Sequence, residues 1–209
     1  MPKREQLLNQ LSAAEDYGIL LTAQIGGVPN ELQLIVGTAK YDSEVEGLRP
    51  QNHYIIRALG VFEHQLHLGV FGTLAFTTEH PVLQHYNYPL VAVAFEGKPQ
   101  NVYELILDIT QTYSSIFATW RHLVDDINRA APLTTLLESG KGVLGQFPKP
   151  AAERLAKVFA HHKIQTTLHE EENFEREDKH GRSKEVQLLA IDNAYIIALS
   201  FSVEEMGKV

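Results

Sequence analysis

NVYELILDITQTYSSIFATWRHLVDDINR (101–129) places apolar side chains at Val102, Leu105, Ile106, Ile109, Tyr113, Ile116, Phe117, Trp120, Leu123, Val124 and Ile127. Gaps of three and four residues are the signature of one helical face. Asn101 can accept the first free amides, and Glu104 stands three residues on, the spacing of a capping box. No glycine occurs between Gly97 and Gly140. Pro132 supplies the stop, because the residue before a proline is disfavoured in helical geometry. The spacing therefore predicts one helix over 101–129, about 43 Å long at ~1.5 Å per residue. Trp120 belongs to its inner, apolar stripe.

Working outward, the chain before this stretch reads mostly as strands. Residues 3–17 predict a short helix with Leu7, Leu8 and Leu11 on one face and Gly18 as its stop. ILLTAQI (19–25) and ELQLIVGTAKY (31–41) are joined by GGVPN, a hairpin signal, and 42–52 read as polar loop. HYIIRALGVFE (53–63) and LHLGVFGTLAFTT (66–78) are separated by His64 and Gln65 alone, which predicts a second antiparallel hairpin. Gly60, Gly69 and Gly72 mark bulges or coiling in it. YPLVAVAFEG (88–97) is continuously apolar, the pattern of a central strand covered on both faces.

After the long stretch, PLTTLLES (132–139) predicts a short helix, KGVLG a turn, and AAERLAKVFAHHK (151–163) a helix with Pro150 in its first turn. IQTTLHEE (164–171) is strand-like, and 173–185 reads as a charged loop that should be mobile. VQLLAI (186–191) and AYIIALSFSV (194–203) flank Asp192-Asn193, a tight-turn pair. The expected fold class is α+β: a mainly antiparallel sheet of about seven or eight strands covered by the 101–129 helix and shorter helices. One domain over 1–209 is expected, with its one possible seam near 130–150.

Composition narrows the function classes. Hydrophobic residues make up 44% and charged residues 21% of the 209, ordinary usage for a globular chain. The formal net charge is −8, which opposes binding to nucleic acid phosphates and to anionic lipid. Cysteine is absent, so thiolate chemistry and cysteine-held metals are excluded. MPKREQLLNQLSAAED has no apolar core of signal-peptide length before Glu15. The longest apolar run, Pro89 to Phe95, is far too short to span a bilayer. A soluble, cytoplasmic protein with no nucleic acid or membrane partner is expected.

The ten histidines are the unusual feature. His64, His67, His80 and His85 fall within 22 residues, beside Glu63 and Glu79, and imidazoles with carboxylates bind zinc, iron or manganese. Yet no H-E-x-x-H is present. Nor does the predicted hairpin bring its two ends together: His64 and His67 sit at one end, His80 and His85 beyond the other, roughly 35–40 Å apart at ~3.3 Å per residue. These four are therefore candidate ligands of a metal site that the strand geometry opposes. His161 and His162 form a further pair on the last helix.

GKGVLG (140–145) matches G-x-G-x-x-G. That motif binds phosphate only between a strand and a helix N-terminus, and Pro148 and Pro150 follow here, so a helix cap and turn is expected. Arg121 with Asp125, and His122 with Asp126, have the i,i+4 spacing of exposed helix pairs. Asp125 and Asp126 point about 100° apart on a helix and cannot share a proton.

With no assembled nucleophile and no cofactor fingerprint, the leading expectation is a non-enzymatic protein-interaction or adaptor protein without a cofactor. It would bind a protein partner or self-associate, as a homodimer for example. The order of first helix, antiparallel strands and closing helix resembles that of small dimeric chaperone-like and adaptor domains. The alternatives are a metal-dependent or small-molecule enzyme using the histidines of 64–85, and a carrier holding a small apolar ligand between sheet and helix.

Overall fold

The structure is a computed structural model and describes residues 2–12, 16–170 and 185–208, with side chains to 206. In chain order its elements are α1 (Lys3–Asn9), β1 (Asp16–Ile25), β2 (Glu31–Asp42), β3 (Gly47–Gln65), β4 (Gly69–Phe71), β5 (Leu74–Thr77), α2 (Gln84–Asn87) and β6 (Leu90–Glu96). Then follow α3 (Val102–Phe117), α4 (Leu123–Asp126), α5 (Leu133–Glu138), β7 (Lys141–Pro148), α6 (Lys149–His161), β8 (Gln165–Glu170), β9 (Gln187–Ile191) and β10 (Ala194–Lys208). The expected charged loop at 173–185 lies outside the described residues apart from Glu185.

The chain divides into two compact units, 1–79 with 185–209, and 80–184. The stretch 130–150 lies wholly inside the second unit, so the division does not fall there.

The first unit is a seven-stranded antiparallel sheet in the order β4-β1-β2-β3-β10-β9-β5. Its two end strands, β4 and β5, are separated along the chain by Gly72 and Thr73 alone, so the sheet must curl until its edges meet. The turn between β9 and β10 clamps that junction. The backbone N–H groups of Gly72 and Thr73 donate to the Asp192 carboxylate at 3.1 and 2.8 Å, and the Thr73 hydroxyl donates at 2.8 Å. Burial pushes the Asp192 carboxyl up, but these three bonds outweigh it and hold it below its usual value. The interior is filled by inward residues of the strands and by Leu7 of α1, among them Leu20, Leu34, Tyr54, Ile56 and Ile196.

The predicted pairing of 53–63 with 66–78 is wrong. Both edges of β3 are taken, by β2 on one side and β10 on the other. The returning run has no edge to join and is split between β1 and β9 instead. The 42–52 loop is also corrected: β2 and β3 form one long hairpin paired down to Asp42 and Gly47. Gly18 is not a helix stop but lies in β1, where an added Cβ would sit 2.0 Å from the Phe71 ring. The 19–25/31–41 hairpin and the turn at Asp192-Asn193 match expectation.

In the second unit a three-stranded antiparallel sheet, order β7-β6-β8, carries helices on one face. β6 is central as expected, but only Val91, Val93 and Phe95 are buried, so one face alone is fully covered. Between sheet and helices lie Leu105, Ile109, Tyr113 and Phe117 of α3, Phe147 of β7 and Phe159 of α6.

The single helix over 101–129 is not formed. Asn101 caps the start as expected, its side chain accepting from the amides of Tyr103 and Glu104. The helix ends after 16 residues at Ala118, whose φ is 49°. Length explains the break. Sixteen residues of helix cover about 24 Å, and the seven residues of β6 cover about 23 Å. A helix continued to Arg129 would carry Leu123 and Ile127 beyond the sheet into water. The chain turns back, and both residues pack against the same core. Trp120 falls in that turn, half-buried against the His80 ring at 4.6 Å, and not in the core. KGVLG is not a turn: Gly140 (φ 79°) follows α5, and Lys141 opens β7.

Candidate functional site

The four histidines weighed as ligands are divided between the two units. His64 and His67 are exposed residues of the first unit, while His80 and His85 belong to the second. Among the described residues no three His, Asp or Glu side chains are placed to hold a metal ion. His80 caps a single 3₁₀ turn, its Nδ1 accepting from the Val82 amide, and burial pulls its pKa down. His162 bonds Asp108 at 2.8 Å and links α6 to α3, while its neighbour His161 is exposed.

His85 alone enters a buried polar cluster. Its Nε2 lies 2.8 Å from Asp126 Oδ2, and the Tyr113 hydroxyl donates to the same oxygen at 2.5 Å. The Arg121 guanidinium stands 3.8 Å from Asp126 Oδ1. The side chains of His85 and Asp126 are 9% and 7% exposed. Burial alone would push the Asp126 carboxyl up, but the bonds from His85 and Tyr113 and the nearby cationic charge outweigh it and hold it below the usual carboxylate range. The same burial, with the Asp126 charge beside it, drives the Tyr113 hydroxyl well above the ordinary phenol value.

Asp126 reaches this position through β7. Gly145 accepts the backbone of 126–127 against it: a Cβ there would lie 2.2 Å from the Asp126 carbonyl oxygen. The Asn128 amide then donates to the Leu144 carbonyl at 2.7 Å. This corrects the expected exposed pairs. Asp125 does point outward, but to Arg129 at 3.1 Å, while Asp126 turns inward. The sequence held no signal for the cluster, because its members lie 5 to 41 positions apart.

An ionised Asp126 accepts hydrogen bonds only, so His85 donates Nε2–H to it, and in the neutral imidazole the lone pair is then on Nδ1. That Nδ1 is buried and has no hydrogen-bond partner among the described residues. Leaving such an acceptor unsatisfied costs about 1–3 kcal/mol. The cluster borders a cleft of about 560 Å³ whose walls include Leu90, Ala92, Val143, Asn128 and Gln146.

The outer face of the first unit carries a different feature. Register puts Val70 opposite Ile19, Ile19 opposite Gly37, and Ile35 opposite Ile55. Each pair shares a face. Leu21, at a bulge in β1, lies over Gly37, 3.6 Å from where a Cβ would stand. Val70 is 57% and Leu21 43% exposed, and the three isoleucines are half-buried. Apolar side chains of β4, β1, β2 and β3 therefore share this face, with the His53 ring seated over Gly37 and Thr22 opposite Ile35 among them, where outward residues of an antiparallel sheet are normally polar. Its rim is polar: Gln33, and Arg57 paired with Glu204 at 3.1 Å.

Comparison with known protein families, with curated proteins and with solved structures finds no match to this chain. Among the described residues no helix is long and apolar enough to cross a membrane.

Proposed function

We propose that the protein is an interaction or adaptor protein that docks a protein partner on the outer face of the curled sheet. The observation that carries this is the group of apolar side chains Val70, Ile19, Leu21, Ile35 and Ile55 on that outer face, beside a polar rim. Clustered exposed apolar side chains rimmed by polar groups are one mark of a protein interaction site. The acidic balance disfavours a nucleic acid partner, and the lack of cysteine fits a cytoplasmic setting. A carrier is less well supported, because core side chains such as Leu105, Ile109 and Phe147 fill the space between β6 and α3.

The test is a paired affinity capture with the parent and a Leu21→Lys, Val70→Lys variant, followed by titration of the purified partner. Both positions are exposed, so circular dichroism and melting should be unchanged. The reading expects at least a tenfold weaker Kd in the variant. Equal affinity for the partner, or a parent that captures nothing the variant does not, removes it. Sedimentation velocity of the parent separates a foreign partner from a second copy of the chain.

A further inference from the structure

We propose that the cleft beside His85 binds a small neutral molecule carrying a hydroxyl or N–H donor on an apolar frame. Three features of the second unit define that chemistry. The first is the acceptor. Asp126 accepts from Nε2 of His85, so the neutral ring carries its lone pair on Nδ1, and that atom is buried without a partner among the described residues. Asp126 is in turn held by Tyr113, which fixes the ring and its tautomer. The second feature is the frame: Leu90, Ala92 and Val143 give the same cleft an apolar wall. The third is charge. Arg121, Asp125 and Asp126 put both signs around the cleft, so neither a net anion nor a net cation is favoured over a neutral molecule.

The volume of about 560 Å³ lies within the range of small-molecule sites. His85 borders the cleft while its Nδ1 is covered, so binding includes a side-chain shift in the wall. The site is independent of the docking face in the other unit, and either can fail alone.

The experiment uses the full chain labelled with ¹⁵N-histidine, with phenol as the probe and anisole as its counterpart lacking the O–H. The His85 resonances are assigned by their loss in His85→Gln. Phenol should move the Nδ1 resonance saturably toward the hydrogen-bonded position, and anisole should bind at least tenfold more weakly. Asp126→Asn should weaken phenol at least tenfold by releasing the tautomer. Should that variant fail to fold, Val143→Glu on the exposed wall must block the response instead. No saturable shift up to the solubility of phenol, an equal response to anisole, or a response that survives Val143→Glu would each overturn the proposal.

Discussion

Asp126 is where the chemistry of single residues shows most clearly. It receives hydrogen bonds from His85 and Tyr113 in a setting that leaves its side chain 7% exposed. A buried ionised group that loses its partners, or partners that lose it, are strongly destabilising, by roughly 3–5 kcal/mol. Asp126→Ala should lower unfolding free energy by about 3 kcal/mol, read as a shift in denaturant midpoint. The pH dependence has a definite sign. The Asp126 carboxyl is depressed in the folded state, so its contribution is fully present above the unfolded value of roughly 4 and fades as pH falls through the lower folded value. The parent should therefore lose stability below about pH 4, and Asp126→Asn should show a shallower loss over the same window. An equally steep acid limb in the variant would assign the effect to other carboxylates. None of this was legible in the sequence. Asp126 sits among residues spaced as a solvated helix face, and nothing local distinguishes it from Asp125 next to it. Its burial follows from a glycine 19 positions away that lets two backbones touch.

At the scale of elements, periodicity reported the core correctly and the continuity of the helix wrongly. Val102, Leu105, Ile109, Tyr113, Ile116 and Phe117 are buried as their spacing required, and Leu123 and Ile127 reach the same core after a turn. A hydrophobic period records which residues face inward, and a helix that folds back can preserve it. The break has a cost that can be measured. Ala118 holds φ 49° and ψ −126°, a region that side chains with a Cβ rarely adopt and that costs of order 1–3 kcal/mol. Ala118→Gly relieves this strain while adding up to about 1 kcal/mol of unfolded-state entropy. The net should be stabilising by about 1 kcal/mol, seen as a melting temperature a few degrees higher. A lower melting temperature would mean that the chain does not turn at this residue. The hairpin expected at 53–78 failed for a reason outside its own sequence. A two-residue connection favours antiparallel pairing only when an edge is free, and β10, over a hundred residues later, occupies it.

At the scale of the molecule, the second unit is an insertion into a hairpin of the first. β5 and β9 are antiparallel neighbours, with Thr77 opposite Leu188. The chain leaves the sheet at Thr77 and returns at Gln187, so its two exit points are adjacent strand ends, where a short turn would serve as well. Each unit has its own core: the buried residues from Val91 to Ile164 form one cluster, and those of α1 and the curled sheet form another. A unit with its own core can in principle fold alone, and insertions are tolerated where the chain ends lie close together. No composition shift marks the division, because β5 and β6 are both mostly apolar and only the distant pairing with β9 shows where the first unit resumes. Replacing residues 80–184 by Asn-Gly leaves a six-residue loop from Thr78 to Val186, within the common range of short connections of roughly 4–6 residues. This shortened chain should remain β-rich by circular dichroism and unfold in one cooperative transition. The excised 80–184 segment should do the same with a mixed helical spectrum. Loss of cooperative unfolding in the shortened chain, with the excised segment still folded, would show that the curled sheet depends on the unit it carries.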